Sequence, residues 1–215
     1  MLFQLDKNDV WFPDPTLAEE DGLLAIGGDL SEQRLKLAYA QGIFPWYNEE
    51  TPILWYAPPQ RFVLFPNELK ISKSMRKFMQ STPYRVTYNQ AFEQVIEFCA
   101  AIPRKEQAGT WITNEMREAY IQLNKTGVAQ SIEVWKDDTL CGGLYGVICG
   151  SRHHVFCGES MFSRLPNASK LALISLCQLN RFELIDCQIE SDHLKTWGAR
   201  IISNETYLKI LHSSS

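Results

Sequence analysis

Three polar side chains stand in otherwise apolar stretches of the sequence: Glu159, Asp186 and Gln188. The residues around Asp186 and Gln188 have the composition of a β-strand, in which side chains alternate between two faces. Asp186 and Gln188 are therefore predicted to project from one face. A carboxylate and an amide are costly to bury unless polar groups meet them. They could be a site for hydrogen-bonding chemistry or, as such spacing more often indicates, a structural pair.

The composition is that of a soluble globular protein. The chain has 215 residues, 45% of them hydrophobic and 21% charged, which suits one large domain or a small and a medium one. The first residues lack the pattern of a signal peptide, and no apolar run is long enough to cross a bilayer, so we expect a cytoplasmic protein. The cysteines lie mostly in apolar runs without a C-x-x-C pair, which predicts buried thiols rather than zinc ligands or disulfides.

One short segment concentrates positive charge. The net charge of −4 argues against indiscriminate nucleic-acid binding. Residues 69–79 nevertheless have the spacing of an amphipathic helix with a basic face. Such a face is either simply solvated or contacts phosphates. Its members are Lys70, Lys73, Arg76 and Lys77.

The elements that must position the polar residues fall into two parts. Residues 1–61 are rich in proline, glycine and aromatic residues, with one clear helix from about Glu32 to Gln41, and they are predicted to form a small N-terminal domain. Ser31 is the expected N-cap of that helix, and Gly42 follows it. Residues 62–215 form the second predicted domain, in which strand hairpins near 131–157 precede a helix at 167–179 and a strand at 182–189.

Hairpins followed by strand–helix–strand predict a mixed α/β (α+β) sheet with a right-handed crossover. This order resembles the GCN5-related acyltransferase-like (GNAT-like) fold, which we expect for residues 62–215. Acetyl-CoA-dependent enzymes of that fold hold the pyrophosphate with a glycine-rich loop before the crossover helix. The corresponding stretch, residues 159–170, contains no glycine, which disfavours an acetyl-CoA donor.

Several motifs resemble the bacterial leucyl/phenylalanyl-tRNA–protein transferases, aminoacyl transferases of the N-end rule. The resemblance extends in order from about Trp11 to Ala199. The matching runs are residues 22–30, 42–46, 109–113, 131–135, 156–164, 167–170 and 185–188.

The resemblance implies a reaction and its partners. Leu or Phe would pass from aminoacyl-tRNA to the α-amine of a protein that begins with Arg or Lys. Because an apolar pocket discriminates weakly between side chains of similar size, we expect Met to be accepted as well. Leu-tRNA, Phe-tRNA and these acceptor proteins are the expected partners of a monomeric enzyme without a metal, an organic cofactor or a membrane partner.

The resemblance also implies roles for individual residues. Asp186 and Gln188 match the catalytic pair, and Glu159 matches a residue that holds polar parts of the substrates. Trp46 and Trp111 match tryptophans that contact the terminal adenosine of the tRNA, and the basic face of residues 69–79 would contact the acceptor stem. The expected pocket for the transferred side chain is formed by Leu144, Phe156, Met161, Leu173 and Ile185. Leu144 stands where some relatives have Met, a change that conserves volume.

The chemistry needs little more than this set of residues, because an aminoacyl ester already reacts with amines. Orientation of the two reactants can supply up to about 7–11 kcal/mol. Our hypothesis is that Gln188 accepts a hydrogen bond from the incoming amine and that Asp186 polarises Gln188. The alternatives are a peptidoglycan-bridge transferase, a non-catalytic tRNA-binding protein and, with least support, a hydrolase that uses Cys157 or Cys187 as nucleophile.

Overall fold

The structure, a computed structural model, describes residues 2–102 and 112–213. The N-terminal part forms a four-stranded sheet with the strand order β1-β2-β4-β3 and a helix, α1 (Glu32–Ala40), beside it. The strands of this sheet are β1 (Phe3–Leu5), β2 (Leu23–Gly27), β3 (Phe44–Pro45) and β4 (Leu54–Tyr56).

The strands that follow in the sequence form a second, seven-stranded sheet with the order β11-β5-β10-β9-β8-β7-β6. Its strands are β5 (Gln60–Leu64), β6 (Tyr84–Tyr88), β7 (Ala129–Lys136), β8 (Thr139–Cys149), β9 (Val155–Ser163), β10 (Leu184–Gln188) and β11 (Arg200–Ser203). The helices are α2 (Lys73–Ser81), α3 (Phe92–Ala101), α4 (Asn114–Lys125), α5 (Ala168–Gln178), α6 (Asp192–Lys195) and α7 (Asn204–Leu211). Strands β9 and β10 run parallel and are connected through α5. The predicted mixed α/β class is therefore confirmed.

Side-chain caps explain where several helices begin. Ser31 accepts a hydrogen bond from the backbone N–H of Arg34, so this predicted N-cap is confirmed. For α4 the sequence offers Thr113 or Asn114 as N-cap, and the structure shows that Thr113 is the cap, because its side chain accepts a hydrogen bond from Met116 N–H. Ser72 caps α2 in the same way, so this helix starts at Lys73 rather than at residue 69.

The prediction that Lys70 shares the helical face of the other basic residues is therefore wrong. Lys70 lies in the irregular segment before α2, where its backbone N–H donates to Trp197 O at 2.9 Å. Its side chain is exposed, as are those of Lys73, Arg76 and Lys77.

Apolar residues cover both faces of the large sheet. Helix α5 contributes Ile174 to the cluster on one face, while α3 contributes Val95 to the cluster on the other. The second cluster also contains Leu24 and Trp55 from the N-terminal sheet. We propose that the chain divides near residue 61 into two lobes that share this core, because the N-terminal sheet buries its apolar side chains against the larger lobe.

Within residues 2–102 and 112–213, no helix combines the length and the apolar character that crossing a bilayer requires.

Candidate active site

A cavity of about 360 Å³ lies where strands β9 and β10 separate. The two strands pair in parallel as far as Cys157 and Asp186, and beyond this point both are irregular. The register of β9 against β8 shifts between Gly158 and Ser160, which leaves Glu159 without a partner residue on β8. The register of β10 against β5 shifts between Asp186 and Gln188. Such bulges redirect side chains, and here they direct polar groups into the cavity.

The cavity collects nearly all of the catalytic and substrate-binding residues predicted from the sequence. Its lining includes Trp46, Leu144, Phe156, Glu159, Met161, Leu173, Ile185, Asp186 and Gln188. The aliphatic residues and Phe156 form an apolar wall, and Glu159 and Gln188 form a polar one. Trp111, the remaining residue predicted to bind substrate, lies outside the described residues. Phe44, Leu176 and His193 also line the cavity, although the sequence did not single them out.

Asp186 is buried and ion-paired. One of its oxygens contacts the guanidinium of Arg61, which is also buried. The other oxygen accepts a hydrogen bond from the backbone N–H of Gln188 at 2.9 Å. The carboxylate therefore contacts the backbone of Gln188. The polarisation hypothesis would require a contact with the side-chain amide of Gln188 instead.

Gln188 has an unusual backbone conformation. Its φ is +58°, and the N–H of Ile189 donates to the carbonyl of Cys187 at 2.7 Å. These features describe a γ-turn centred on Gln188 with a positive φ, the rarer and more strained form of this turn. Strand alternation does not continue through such a turn, so the prediction that Asp186 and Gln188 share a strand face is wrong. The Nε2 of Gln188 donates to Glu159 at 2.9 Å, which leaves its Oε1 as the acceptor of this amide.

Glu159 is buried among neutral donors. Besides Gln188, it accepts hydrogen bonds from the hydroxyls of Tyr39 at 2.7 Å and Tyr120 at 3.4 Å. Burial, with a further contribution from the nearby Asp186, raises the pKa of Glu159 to about 8. In the described part of the chain Glu159 makes no ion pair, including none with Arg164 or Lys170. It is thus a carboxylate that an incoming cation can ionise near neutral pH.

Tyr39 and Tyr120 were not assigned to the site from the sequence. Their hydroxyls are in short contact with each other, and burial raises the pKa of both well above the ordinary tyrosine value, so they remain neutral donors. Both residues lie on apolar helix faces, where the sequence predicts packing. The one available signal is that a buried tyrosine hydroxyl usually requires a partner.

The predicted nucleic-acid contacts lie beside the cavity. Trp46 is half-buried and makes an edge contact with Tyr56 at a ring-centroid distance of 5.6 Å. Lys73, Arg76 and Lys77 are exposed on α2 and do not line the cavity. In the segment before α2, the backbone N–H of Lys70 donates a hydrogen bond to the carbonyl of Trp197. The ring of Trp197 in turn contacts His193, which lines the cavity.

The cysteines do not suit a nucleophile. All six are thiols, as predicted, and five are buried while Cys187 is half-buried. A hydrogen bond with Cys149 and burial raise the pKa of Cys157 well above the ordinary thiol value, and burial raises that of Cys187. Thiols in such surroundings are poor nucleophiles. Among the residues that the structure describes, no group of three or more His, Cys, Asp or Glu side chains could hold a metal ion.

The family models and the relatives found by sequence agree on one family. Residues 63–212 match the family model described as leucyl/phenylalanyl-tRNA protein transferase, and residues 28–59 match the model of its N-terminal domain. A leucyl/phenylalanyl-tRNA–protein transferase of Flavobacterium johnsoniae is 54% identical over 95% of this chain and 97% of its own. A leucyl/phenylalanyl-tRNA–protein transferase of Escherichia coli O157:H7 is 50% identical over 98% of this chain and 90% of its own. Among solved structures, a GCN5-related N-acetyltransferase from Kribbella flavida matches 74% of this chain and 56% of its own, with 9% identity and a TM-score of 0.40.

Proposed function

The chain belongs to the leucyl/phenylalanyl-tRNA–protein transferase family, whose members transfer an amino acid from tRNA to protein N-termini in the N-end rule, and we propose that the cavity between β9 and β10 is the site of this transfer. The donors in this proposal are Leu-tRNA and Phe-tRNA, with Met-tRNA also accepted. The acceptors are proteins that begin with Arg or Lys. The observation that carries the proposal is that an apolar wall and the polar pair Glu159–Gln188 line one cavity.

The apolar wall supports the choice of donor. Leu144, Phe156, Leu173 and Ile185 are each at least 95% buried, and together with Met161 they offer only hydrophobic contacts to a side chain. An apolar pocket distinguishes one methylene group by about 1–3 kcal/mol, so it accepts Leu, Phe and Met to different degrees. β-branched Ile and Val, which place a methyl group nearer the backbone, fit less well.

Gln188 supports the chemistry. Because its Nε2 is held by Glu159, its Oε1 can accept a hydrogen bond from the α-amine of the acceptor. An α-amine has a pKa of about 7.7–8, so roughly a tenth is already neutral at pH 7. The neutral amine attacks the ester carbonyl carbon, the C–O bond to the tRNA ribose breaks, and the proton lost by nitrogen goes to the ribose oxygen. Gln188 aligns the nucleophile, and Asp186 acts on Gln188 through the backbone.

Glu159 supports the recognition of a cation. The hydrogen-bond donors around the carboxylate are neutral. A guanidinium or ammonium group would therefore supply the counter-charge that these buried surroundings lack. The cation is either the side chain of the acceptor's first residue or the α-ammonium of the donor amino acid. Binding of either one would lower the raised pKa of Glu159 and release a proton near neutral pH.

Contacts to the tRNA complete the proposal. Trp46 stacks on the terminal adenine, for which base–aromatic stacking is worth about 1–3 kcal/mol. Trp111 has the same proposed role. The phosphates of the acceptor stem contact Lys70, Lys73, Arg76 and Lys77, whose exposed side chains suit sequence-independent contacts. A cytoplasmic location and a monomeric state belong to the same proposal.

A peptide-extension assay tests the proposal. The protein is incubated with Leu-tRNA and a peptide that begins with Arg, and the product mass is measured. We expect a peptide extended by one Leu, no reaction when the peptide is N-terminally acetylated, and little reaction with Ile-tRNA or Val-tRNA. Equal transfer from Leu-tRNA and Val-tRNA would contradict the pocket assignment, and transfer to the acetylated peptide would contradict the proposed acceptor.

A further inference from the structure

Arg61 is a buried arginine whose contacts reach two walls of the cavity. It is the second residue of β5, and the pairing of β5 with β10 places Val63 opposite Asp186. Only 1% of its surface is exposed. A buried guanidinium is costly unless its charge and its N–H groups are paired, so its partners indicate its purpose. Arg61 does not line the cavity itself and can act there only through other residues.

The first set of contacts leads to Gln188. The Nη2 of Arg61 is ion-paired with one oxygen of Asp186. The other oxygen of Asp186 holds the backbone N–H of Gln188 at 2.9 Å. A single carboxylate thus connects the guanidinium to the strained turn that presents the Gln188 amide. Conformations of this kind persist only where the surrounding structure fixes them.

The second set of contacts leads to the opposite wall. The Nη1 of Arg61 donates to the carbonyl of Gly42 at 2.7 Å. The guanidinium also lies 5.1 Å from the ring centroid of Phe44 and 4.3 Å from that of Tyr207. Gly42 and Phe44 belong to the segment that leads to Trp46, and both Phe44 and Trp46 line the cavity. A planar fork of donors that also stacks on rings is a property of arginine that lysine lacks.

The ion pair with Asp186 keeps Arg61 positively charged in this position. Burial alone lowers the pKa of a guanidinium, but the adjacent Asp186 raises the pKa of Arg61 above its ordinary value. The guanidinium therefore stays charged wherever the protein is folded.

We infer that Arg61 is a positioning residue for the transfer reaction: through Asp186 it fixes the turn at Gln188, and through Gly42 and Phe44 it fixes the facing wall. This inference rests on the proposed role of Gln188. It assigns a function in the reaction to a residue that contacts neither substrate.

The variant Arg61→Lys tests the inference, with Arg34→Lys as a matched control. Arg34 is also fully buried, is ion-paired with Asp29 and donates to the carbonyls of Asp6 and Asp9, but it has no contact with the cavity. We expect Arg61→Lys to lower kcat about 100-fold, as misplacement of a reacting group by about 1 Å does, with an unchanged Kd for Leu-tRNA. Arg34→Lys should lower the Tm without a change in kcat.

The outcomes decide between a positioning role and a structural one. Recovery of part of the kcat of Arg61→Ala by added guanidinium at non-denaturing concentration would support the inference. A lower Tm with unchanged kcat in Arg61→Lys would overturn it. If Arg61→Lys does not fold, Tyr207→Leu removes a ring from beneath the guanidinium and should lower kcat, while an unchanged kcat would overturn the inference.

Failure of the proposed function is a separate result. A wild-type protein without transfer activity would contradict that function. The inference would then be decided by the backbone amide resonance of Gln188, which we expect Arg61→Lys to shift and Arg34→Lys to leave in place. An unmoved resonance in Arg61→Lys would overturn it.

Discussion

Asp186 and Glu159 are two buried carboxylates at the same cavity, and their surroundings differ in one respect. Asp186 is ion-paired with Arg61 and uses its second oxygen to hold the backbone of Gln188. Glu159 has only hydroxyl and amide donors among the described residues, and burial raises its pKa to about 8. Arg61 balances the charge of Asp186, whereas no cation among the described residues is ion-paired with Glu159.

This difference indicates a division of labour. A carboxylate that is already ion-paired binds a second cation only weakly, but it can position a neighbouring group through a hydrogen bond. A carboxylate kept largely neutral by burial has a reason to bind a cation, because the ion pair offsets the cost of ionising it. We therefore assign Asp186 to the geometry of the reaction and Glu159 to substrate recognition.

The largest effect should follow from removing the paired carboxylate. Asp186→Asn leaves the buried Arg61 without its counter-charge and the turn at Gln188 with a weaker acceptor. We expect kcat to fall about 10²–10⁴-fold while the Kd for Leu-tRNA changes little. The measurement is single-turnover transfer to an Arg-peptide alongside tRNA binding. Asp192→Asn, on the exposed α6, is the control. Equal losses of turnover and tRNA affinity would show that Asp186 is not specific to the reaction.

Gln188 allows the amide to be separated from the turn that carries it. Gln188→Ala and Gln188→Gly both remove the amide and should each lower kcat about 100-fold. Glycine accepts a φ of +58° without strain, so Gln188→Gly should be more stable than Gln188→Ala by about 1 kcal/mol. Chemical denaturation measures the difference. Equal stability of Gln188→Ala and Gln188→Gly would mean that the turn stores no strain. A kcat equal to that of the wild type in either variant would show that Gln188 has no role in the mechanism.

The raised pKa of Glu159 predicts a pH dependence. The unfolded chain loses this proton near pH 4.5 and the native protein only near pH 8, so a rise in pH through this interval favours the unfolded state. The contribution of Glu159 to stability is present below about pH 4.5 and lost as the pH approaches 8. Glu159→Gln should remove this slope, which is at most about 1.4 kcal/mol per pH unit.

Unfolding measured from pH 5 to pH 8.5 in both proteins tests this dependence. The same experiment on Glu133→Gln provides a control, because Glu133 is also buried and accepts a hydrogen bond from Thr87 but does not line the cavity. Parallel stability curves for the wild type and Glu159→Gln would show that Glu159 ionises normally.

The smallest effect is expected outside the cavity. Reversing the charges of Lys73, Arg76 and Lys77 together should weaken Leu-tRNA and Phe-tRNA binding alike, by about 10-fold or more at low salt, and should flatten the dependence of binding on salt. Lys125→Glu, at the exposed end of α4, is the control. Loss of binding for only one of the two tRNAs would contradict a contact made to phosphates.

The comparison also shows what the sequence can predict. The apolar runs around Asp186 and Glu159 identify strands, and a polar residue in such a run indicates a site, because its burial needs a reason. Helix caps such as Ser31 and Thr113 are local hydrogen bonds and were predictable. Lys70 was misplaced because the cap at Ser72 competes with a helical pattern that periodicity alone would extend.

The partners that set the two carboxylates apart were not predictable. Arg61 is 125 residues from Asp186 in the sequence, and only the pairing of β5 with β10 brings them together. Tyr39 likewise reaches Glu159 from α1, 120 residues away in the sequence. The turn at Gln188 depends on a register shift, and register is a property of neighbouring strands rather than of one strand.

The division of labour is tested most directly by steady-state transfer, measured as a function of the concentrations of acceptor and of Leu-tRNA, in Glu159→Gln and Asp186→Asn. The account predicts that Glu159→Gln raises the KM for the substrate that carries its cation, either the Arg-peptide or Leu-tRNA, with a smaller change in kcat, and that Asp186→Asn lowers kcat with both KM values nearly unchanged. The same loss in the same parameter for both variants would contradict it.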